Sequence, residues 1–254
     1  MTSPNEPHSK TFSHINGSQS DLLDRLAVAE LCKGWPVYRD ASEWKNFSSI
    51  FAKEATVWTT WSGALPIDGF IEVSKKGKSQ GAFIMHRECG TLVELNPDRT
   101  RAVGKMKATI TQRFSTPVDQ GTRLLTPPGN DGDGKFEYDV DCDCRFIFFC
   151  EKEKDASGDD AWKTHYVKLD YDKDKVVPAD GKTAPVFTGA ELDAYPEGYK
   201  YLGAAQARLG YPIDVNLPTP RNEFWWKMYE CMEKWLDGED PGLFGWKAKA
   251  AAAV

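Results

Sequence analysis

Apolar residues recur at helical spacing from Ser20 onward, with Leu22, Leu23, Leu26, Ala27, Ala29 and Leu31 tracing one face. Ser20 is the expected N-cap, and Asp21 and Asp24 suit the first turn. Gly34 and Pro36 fall late in this helix and predict a bend before Tyr38-Arg39-Asp40. Ser42 is then placed to cap a short helix that turns Trp44, Phe47, Ile50 and Phe51 inward. The run from Ala55 to Trp61 is β-branched and aromatic and predicts a strand. A further short helix over Asp68 to Lys78 is followed by a loop, bracketed by Gly77 and Gly81, that leads to Phe83-Ile84-Met85-His86.

From Gly90 the period changes from helical to twofold. Thr91 to Leu95 reads as a strand, Asn96-Pro97-Asp98-Arg99 as a turn, and Ala102 to Phe114 as a long strand. One face of that strand shows Val103, Lys105, Lys107, Thr109, Thr111 and Arg113, and the other shows Met106, Ala108, Ile110 and Phe114. Ser115 to Lys135 has no periodicity and reads as a long loop of the kind that forms lids or stays disordered. Glu137 to Lys152 and Trp162 to Tyr171 are two more long strands, joined by a polar turn at Asp155 to Asp160. Three long antiparallel strands after a helical start predict an α+β fold. Beyond Val177, helices are expected over Tyr199 to Leu209 and over Glu223 to Leu236, the latter capped by Asn222 and ended by Gly238.

Composition narrows the function classes. The chain has 254 residues, 41% hydrophobic and 28% charged, enough for one large domain with a normal core. A net charge of −6 argues against nucleic-acid binding, which needs a clustered basic surface. No apolar run approaches the roughly 20 residues of a membrane span. The first 19 residues are polar, lack an apolar signal core and are expected to form a disordered arm, which points to the cytoplasm. The last residues, 241–254, are expected to form a flexible tail. The six cysteines form no C-x-x-C pair and read as reduced, mostly buried thiols, so no zinc site is expected and the sequons at Asn16 and Asn46 are chance matches. No dinucleotide fingerprint, Walker loop or H-E-x-x-H motif is present, and no cofactor is expected.

The one pairing that suggests chemistry is an acid and an imidazole on separate elements. Asp40 ends the first helix beside Arg39, and His86 follows an apolar triplet. Taken singly, Asp40 suits a solvated or capping carboxylate, and His86 a core histidine bonded to a carbonyl. Together they suit a carboxylate–imidazole dyad, in which the acid orients the ring and makes it more basic. His165 is expected to be a half-buried strand residue. The polar strand face of Lys105, Lys107, Thr109, Thr111 and Arg113 is either solvated or, in a curled sheet, partly turned into a cavity. Trp58 and Trp61 are either core or flat walls for a ring-shaped ligand.

The order helix, D-x-x-E-W, short helix, I-F-A-K-E-A-T-V, strand, short helix, M-H-R-E and three long strands resembles the SnoaL-like branch of the NTF2-like superfamily, over about Ser20 to Tyr171. Scytalone dehydratases and dehydrochlorinases belong to the same group. The resemblance implies a cone, in which a strongly curved antiparallel sheet wraps the N-terminal helices around a deep apolar pocket. It also implies catalysis by Asp40 and His86 without a cofactor. Scytalone dehydratases carry Tyr immediately before that Asp, where this chain has Arg39 with Tyr38 one step earlier, and a second His on the first long strand, where this chain reads G-K-M-K-A. Arg39 instead suits an anionic or polarised oxygen.

The domain from 20 to 176 is thus expected to carry a helical extension over 177–240, like that of fungal secondary-metabolism relatives. The expected function is a cofactor-free isomerase, cyclase or dehydratase acting on a polycyclic natural-product intermediate. Asp40, His86 and Arg39 would be catalytic, and Tyr38, Trp58, Trp61, Lys107 and Arg113 would bind substrate. Family habit suggests a homodimer or homotrimer, with no nucleic-acid or membrane partner. The rival is a non-catalytic NTF2-like binding module, which would keep the pocket without the dyad.

Overall fold

The computed structural model describes residues 7, 8, 10–117, 135–182 and 184–247. The chain opens with α1 (Gln19–Asp40), α2 (Trp44–Ser49), β1 (Phe51–Thr59), β2 (Gly63–Pro66) and α3 (Ile67–Ser79). Four long strands follow: β3 (Phe83–Leu95), β4 (Arg101–Pro117), β5 (Lys135–Lys154) and β6 (Asp160–Pro178). The chain then adds α4 (Gly189–Asp193), α5 (Lys200–Arg208) and α6 (Phe224–Leu236). The strands form one curved, unclosed sheet in the order β2-β1-β6-β5-β4-β3, the cone of the NTF2-like fold. Every neighbouring pair is antiparallel except β1 with β6, which run parallel.

Helix α1 lies in the cone against β3 and β4. Its buried positions are Arg25, Val28, Cys32, Trp35 and Arg39, spaced three and four apart, together with Gly34 and Pro36. This differs from the face expected from the leucines: Leu22, Leu23 and Leu26 are all more than half exposed. The helix also runs unbroken through Pro36. Proline removes one backbone bond, but Trp35 beside it packs edge-on to Phe47 at 5.3 Å and against Phe146 at 5.3 Å, which holds the segment in place. Ser18, not Ser20, caps the helix, in a capping box with Asp21. Glu43, not Ser42, holds the N-cap position of α2 and makes no side-chain cap, because Ser42 is used in the turn that closes α1 at a φ of +61°.

Close packing of α1 on the sheet needs Gly104 in β4. A Cβ there would lie 2.4 Å from Cys32 Sγ, so any side chain would push the helix off. Strand β3 begins at Phe83 and so absorbs the loop expected before His86; Gly90, at φ +132°, sits at its bulge. The loop expected over Ser115 to Lys135 is shortened at both ends by β4 and β5, and its centre lies outside the described residues.

Residues 10–18, expected in a disordered arm, lie along the body. Ser13 bridges to Leu95, and its hydroxyl accepts from the buried Arg25 at 2.8 Å. A buried guanidinium needs acceptors, and the arm supplies them through Ser13 and the Asn16 carbonyl. At the other end Leu243 and Trp246 are buried, in the segment expected to be flexible. Residues 1–6, 9 and 248–254 lie outside the described part. Among the described residues no helix is long and apolar enough to cross a membrane.

Candidate active site

Asp40 is the last residue of α1, and its position is set by the turn that follows. Ser42 N–H donates to the Arg39 carbonyl and Glu43 N–H to the Tyr38 carbonyl at 2.8 Å, closing the helix end. Lys78, in the last turn of α3, donates to the Asp40 carbonyl at 2.8 Å and ties α3 to the same point. The Asp40 side chain then turns to β3. One oxygen accepts the backbone N–H of His86 at 2.6 Å, and the other contacts His86 Nδ1 at 2.7 Å. The double contact fixes both the ring and its tautomer: Nδ1–H donates to the carboxylate, and Nε2 is left with a free lone pair.

His86 is almost wholly buried, its side chain 4% exposed. Burial lowers its pKa below the ordinary 6.5, and the bond to Asp40 and its charge push the other way. The ring is therefore neutral at neutral pH, as a base must be.

His86 lines a small cavity. The sheet supplies Ile84 from β3, Ile110 and Gln112 from β4, Phe146 from β5, and Leu169 and Tyr171 from β6. Helix α1 adds Trp35 and Arg39, the end of β1 adds Thr59, the β1–β2 turn adds Thr60 and Trp61, and α5 adds Leu202 and Gln206. A neighbouring space shares Arg39, Trp61, Ile84, Gln112 and Gln206 with it and continues outward past Val73, Lys78 and Tyr211. Those five shared residues therefore stand between an inner chamber and its approach.

Arg39 is 4% exposed, and its Nε and Nη1 have no hydrogen-bond partner. Its guanidinium lies over the Phe70 ring at 5.4 Å from the centroid. Burial lowers its pKa to about 10, opposed by the charge of Asp40, so it stays protonated at neutral pH. A buried cation with free N–H groups on a cavity wall is set to receive an anionic oxygen. Trp61 stacks on Phe70 at 5.4 Å and forms a flat part of the wall.

Of the residues expected at the site, the structure brings Asp40, His86, Arg39 and Trp61 together. It places the others elsewhere. Tyr38 is half-buried beside Gly34, within contact of the core but not lining the cavity. Trp58 alternates with Thr59 along β1, so when Thr59 faces the cavity Trp58 faces the other side, where it meets Phe244 at 4.9 Å. Lys107 and Arg113 likewise lie on the outer face of β4, because Ile110 and Gln112 take the inner one. Lys107 is exposed, and Arg113 makes a two-pronged ion pair with Asp139. His165 contacts Glu153 at 2.9 Å, also away from the cavity.

Sequence reasoning missed Trp35, Gln112, Tyr171 and Gln206. For Gln112 a signal existed: it alternates in step with Ile110 and Phe114 on the apolar face of its strand, where an amide is out of place.

A family model for the SnoaL-like domain matches residues 20–168. Pea pathogenicity protein 2 of Fusarium vanettenii is 41% identical over 232 residues, covering 88% of this chain and 90% of the relative. An uncharacterized protein of Emericella nidulans is 40% identical over 233 residues, covering 89% and 91%. Among solved structures, hexachlorocyclohexane dehydrochlorinase LinA-type3 of Novosphingobium barchaimii has 11% identity and a TM-score of 0.42, covering 65% of this chain and 91% of that one. A candidate scytalone dehydratase of Novosphingobium aromaticivorans has 10% identity and a TM-score of 0.42, covering 66% and 91%. Asp40, His86, Arg39 and Gln112 fall inside the matched domain and Gln206 outside it. On the family match and the fungal relatives, the chain belongs to the SnoaL-like family of NTF2-like domains.

Proposed function

We propose that this chain is a cofactor-independent acid–base catalyst of the isomerase or lyase type, acting on a ring-shaped carbonyl compound such as a natural-product intermediate. The observation that carries this reading is the Asp40–His86 contact at 2.7 Å on the wall of a largely apolar cavity. A binding module needs the cavity but not an oriented, neutral imidazole. His86 Nε2 takes a proton from the carbon next to the carbonyl, and the C–H electron pair moves onto the carbonyl oxygen. Arg39 stabilises the enolate so formed, in a site whose buried walls strengthen the interaction. The reaction closes in one of two balanced ways. The imidazolium returns its proton at a different carbon, which is an isomerisation. Alternatively a β-hydroxyl leaves with that proton as water, which is a dehydration. Asp40 stabilises the imidazolium in between and is not itself consumed.

The test is proton exchange. One- and two-ring ketones such as cyclohexanone and 1-tetralone are incubated with the protein in D₂O, and loss of the α-proton signal is followed by NMR. Exchange above the buffer rate that disappears in His86→Ala is the expected result. Exchange that survives in His86→Ala, or a wild type no faster than buffer across the series, would overturn the reading.

A further inference from the structure

The cavity contains a hydrogen-bond chain with a direction, and it begins in the C-terminal extension. The Thr60 hydroxyl donates to Gln206 Oε1 at 2.6 Å. Gln206 Nε2 in turn donates to Gln112 Oε1 at 2.9 Å. The Thr60 backbone N–H donates to the Tyr171 hydroxyl at 3.2 Å. Both amides are thereby oriented: each side-chain carbonyl is occupied, and the Gln112 amide nitrogen is left with two N–H groups and no partner among the described residues. Gln112 and Gln206 are 6% and 3% exposed.

Arg39 adds further donors to the same wall, with Nε and Nη1 unpartnered. The remaining lining is apolar apart from Thr59, Thr60, Tyr171 and the unpartnered indole N–H of Trp35, a further donor, and His86 Nε2 is left as acceptor. Gln112 and His86 are placed to act on one small molecule. In the β3–β4 pairing Gln112 lies opposite Ile84, and His86 lies opposite Ile110. Gln112 and His86 are therefore diagonal neighbours on one face of the sheet, about 7–8 Å apart at the backbone. That gap holds a C–H directed at the imidazole and, on the adjoining carbon, an oxygen directed at the amide.

We infer that the cavity selects ligands whose buried polar atom is an acceptor only, a ketone or carboxylate oxygen, and disfavours the corresponding alcohol. Gln206 is the positioning residue for this choice, because it holds the Gln112 amide with its N–H groups toward the ligand. The inference rests on the proposed function only in taking this cavity as the ligand site. A hydroxyl in the same place could accept from Arg39 and Gln112, but its own hydrogen would then face these donors and lie away from His86 Nε2 across the gap, an arrangement that costs affinity. The extension is thus part of the specificity of the site. Helix α5 is fixed to the sheet by Asp174 of β6, which accepts the Leu202 N–H at 2.8 Å, and to the segment after it by the Tyr199 hydroxyl, which donates to the Asp214 carbonyl at 2.8 Å.

The test uses two neutral probes of nearly equal shape, acetophenone and 1-phenylethanol, so that no net ligand charge enters. Their dissociation constants are measured by tryptophan fluorescence and ligand-observed NMR. Wild type is expected to prefer the ketone by about tenfold or more. Gln206→Glu replaces the donor with a carboxylate that accepts from both Thr60 and Gln112. The Gln112 amide must then turn over and present its carbonyl oxygen to the ligand, and the preference is expected to move toward the alcohol. Gln206→Met, which needs no new charge in the core, releases the amide and is expected to bring the ratio close to one. A merely structural role for Gln206 would weaken both probes alike and leave the ratio unchanged. An unchanged ratio in a folded variant, or a wild type without ketone preference, would overturn the inference. Proton exchange and the binding ratio fail separately. Loss of the first with the ratio intact removes acid–base catalysis alone, and loss of the second with exchange intact removes the donor-wall inference alone.

Discussion

The two faces of strand β4 carry polar side chains in very unequal number and use them in opposite ways. On the outer face Thr109, Thr111 and Arg113 each have a carboxylate opposite them on β5: Asp143, Asp141 and Asp139. On the inner face Gln112 stands among Ile110 and Phe114, and its partner comes from α5, 94 residues away. The outer charges are matched on the neighbouring strand and screened by water. The inner polar groups are few, buried and only partly matched: His86 keeps a free Nε2, Arg39 two unpartnered nitrogens and Gln112 an amide nitrogen. Unmatched polarity in a dry site stores affinity for something else, whereas matched polarity on a wet face mainly keeps the chain soluble.

The largest break of this contrast is His86→Ala. It should lower α-proton exchange by about 10²–10⁴-fold while the circular dichroism spectrum stays that of the wild type. A variant within tenfold of wild type would show that the inner face does not act as a base. Asp40→Asn should have the next largest effect, and its signature is a shift along the pH axis. Burial already holds the His86 pKa below 6.5 against the pull of Asp40. Removing the carboxylate charge moves it lower still, so the acid limb of the rate profile should move to lower pH and the plateau should fall. The same group gives a sign for stability. A pKa depressed in the folded state means stability that is full above 6.5 and is lost as pH falls through the folded value. An acid limb that stays in place in Asp40→Asn would separate the two residues.

A third test concerns the region where the outer face is itself covered, beneath α6. There Asp170 is 1% exposed, its Oδ1 has no partner, and burial raises its pKa to about 8, opposed by Arg145 and Lys168 and assisted by Asp172. The folded value lies above the unfolded one, so this carboxyl contributes stability fully below pH 3.8 and loses it as pH rises through about 8. Asp170→Asn removes the titration. Its melting temperature relative to wild type should therefore rise between pH 5 and pH 8, by an amount equivalent to about 1–3 kcal/mol. A difference that is flat across that range would mean that Asp170 stays ionised in the folded protein.

Much of this contrast could be read from the residues, and the parts that could not have physical causes. Twofold alternation marked β4, β5 and β6, because a sheet half-buried on one face repeats every two residues. Asp40 and His86 stood out as an acid and an imidazole beside apolar residues. The buried face of α1 was hidden because Leu22, Leu23 and Leu26 dominate any pattern of hydrophobicity, while the positions that turn inward include Arg25 and Arg39. Lys107 and Arg113 were ambiguous because alternation gives two faces without saying which one is concave. Gln206 was out of reach, since nothing local in α5 points to Thr60 or Gln112.

The smallest expected effect is also the cleanest control on the contrast. Arg113 has the most elaborate ion pairing of the outer face: Nη2 donates to Asp139 Oδ2 at 2.9 Å and Nη1 to Glu137 Oε2 at 3.1 Å. These partners raise its pKa further above an already high value, so it is charged at every accessible pH. Its side chain is 35% exposed, however, and exposed pairs contribute about 0–1 kcal/mol once solvent screening is counted. Arg113→Ala should therefore shift the melting temperature by no more than a few degrees and leave proton exchange within about twofold of wild type. Lys107→Ala, at an exposed position, should do less. The two substitutions remove as much charge as Arg39→Met and Lys78→Met would remove near the cavity, so a loss confined to the inner pair isolates location from charge. A tenfold loss of exchange in Arg113→Ala would mean that the outer face takes part in the reaction, and the division between the two faces would fall.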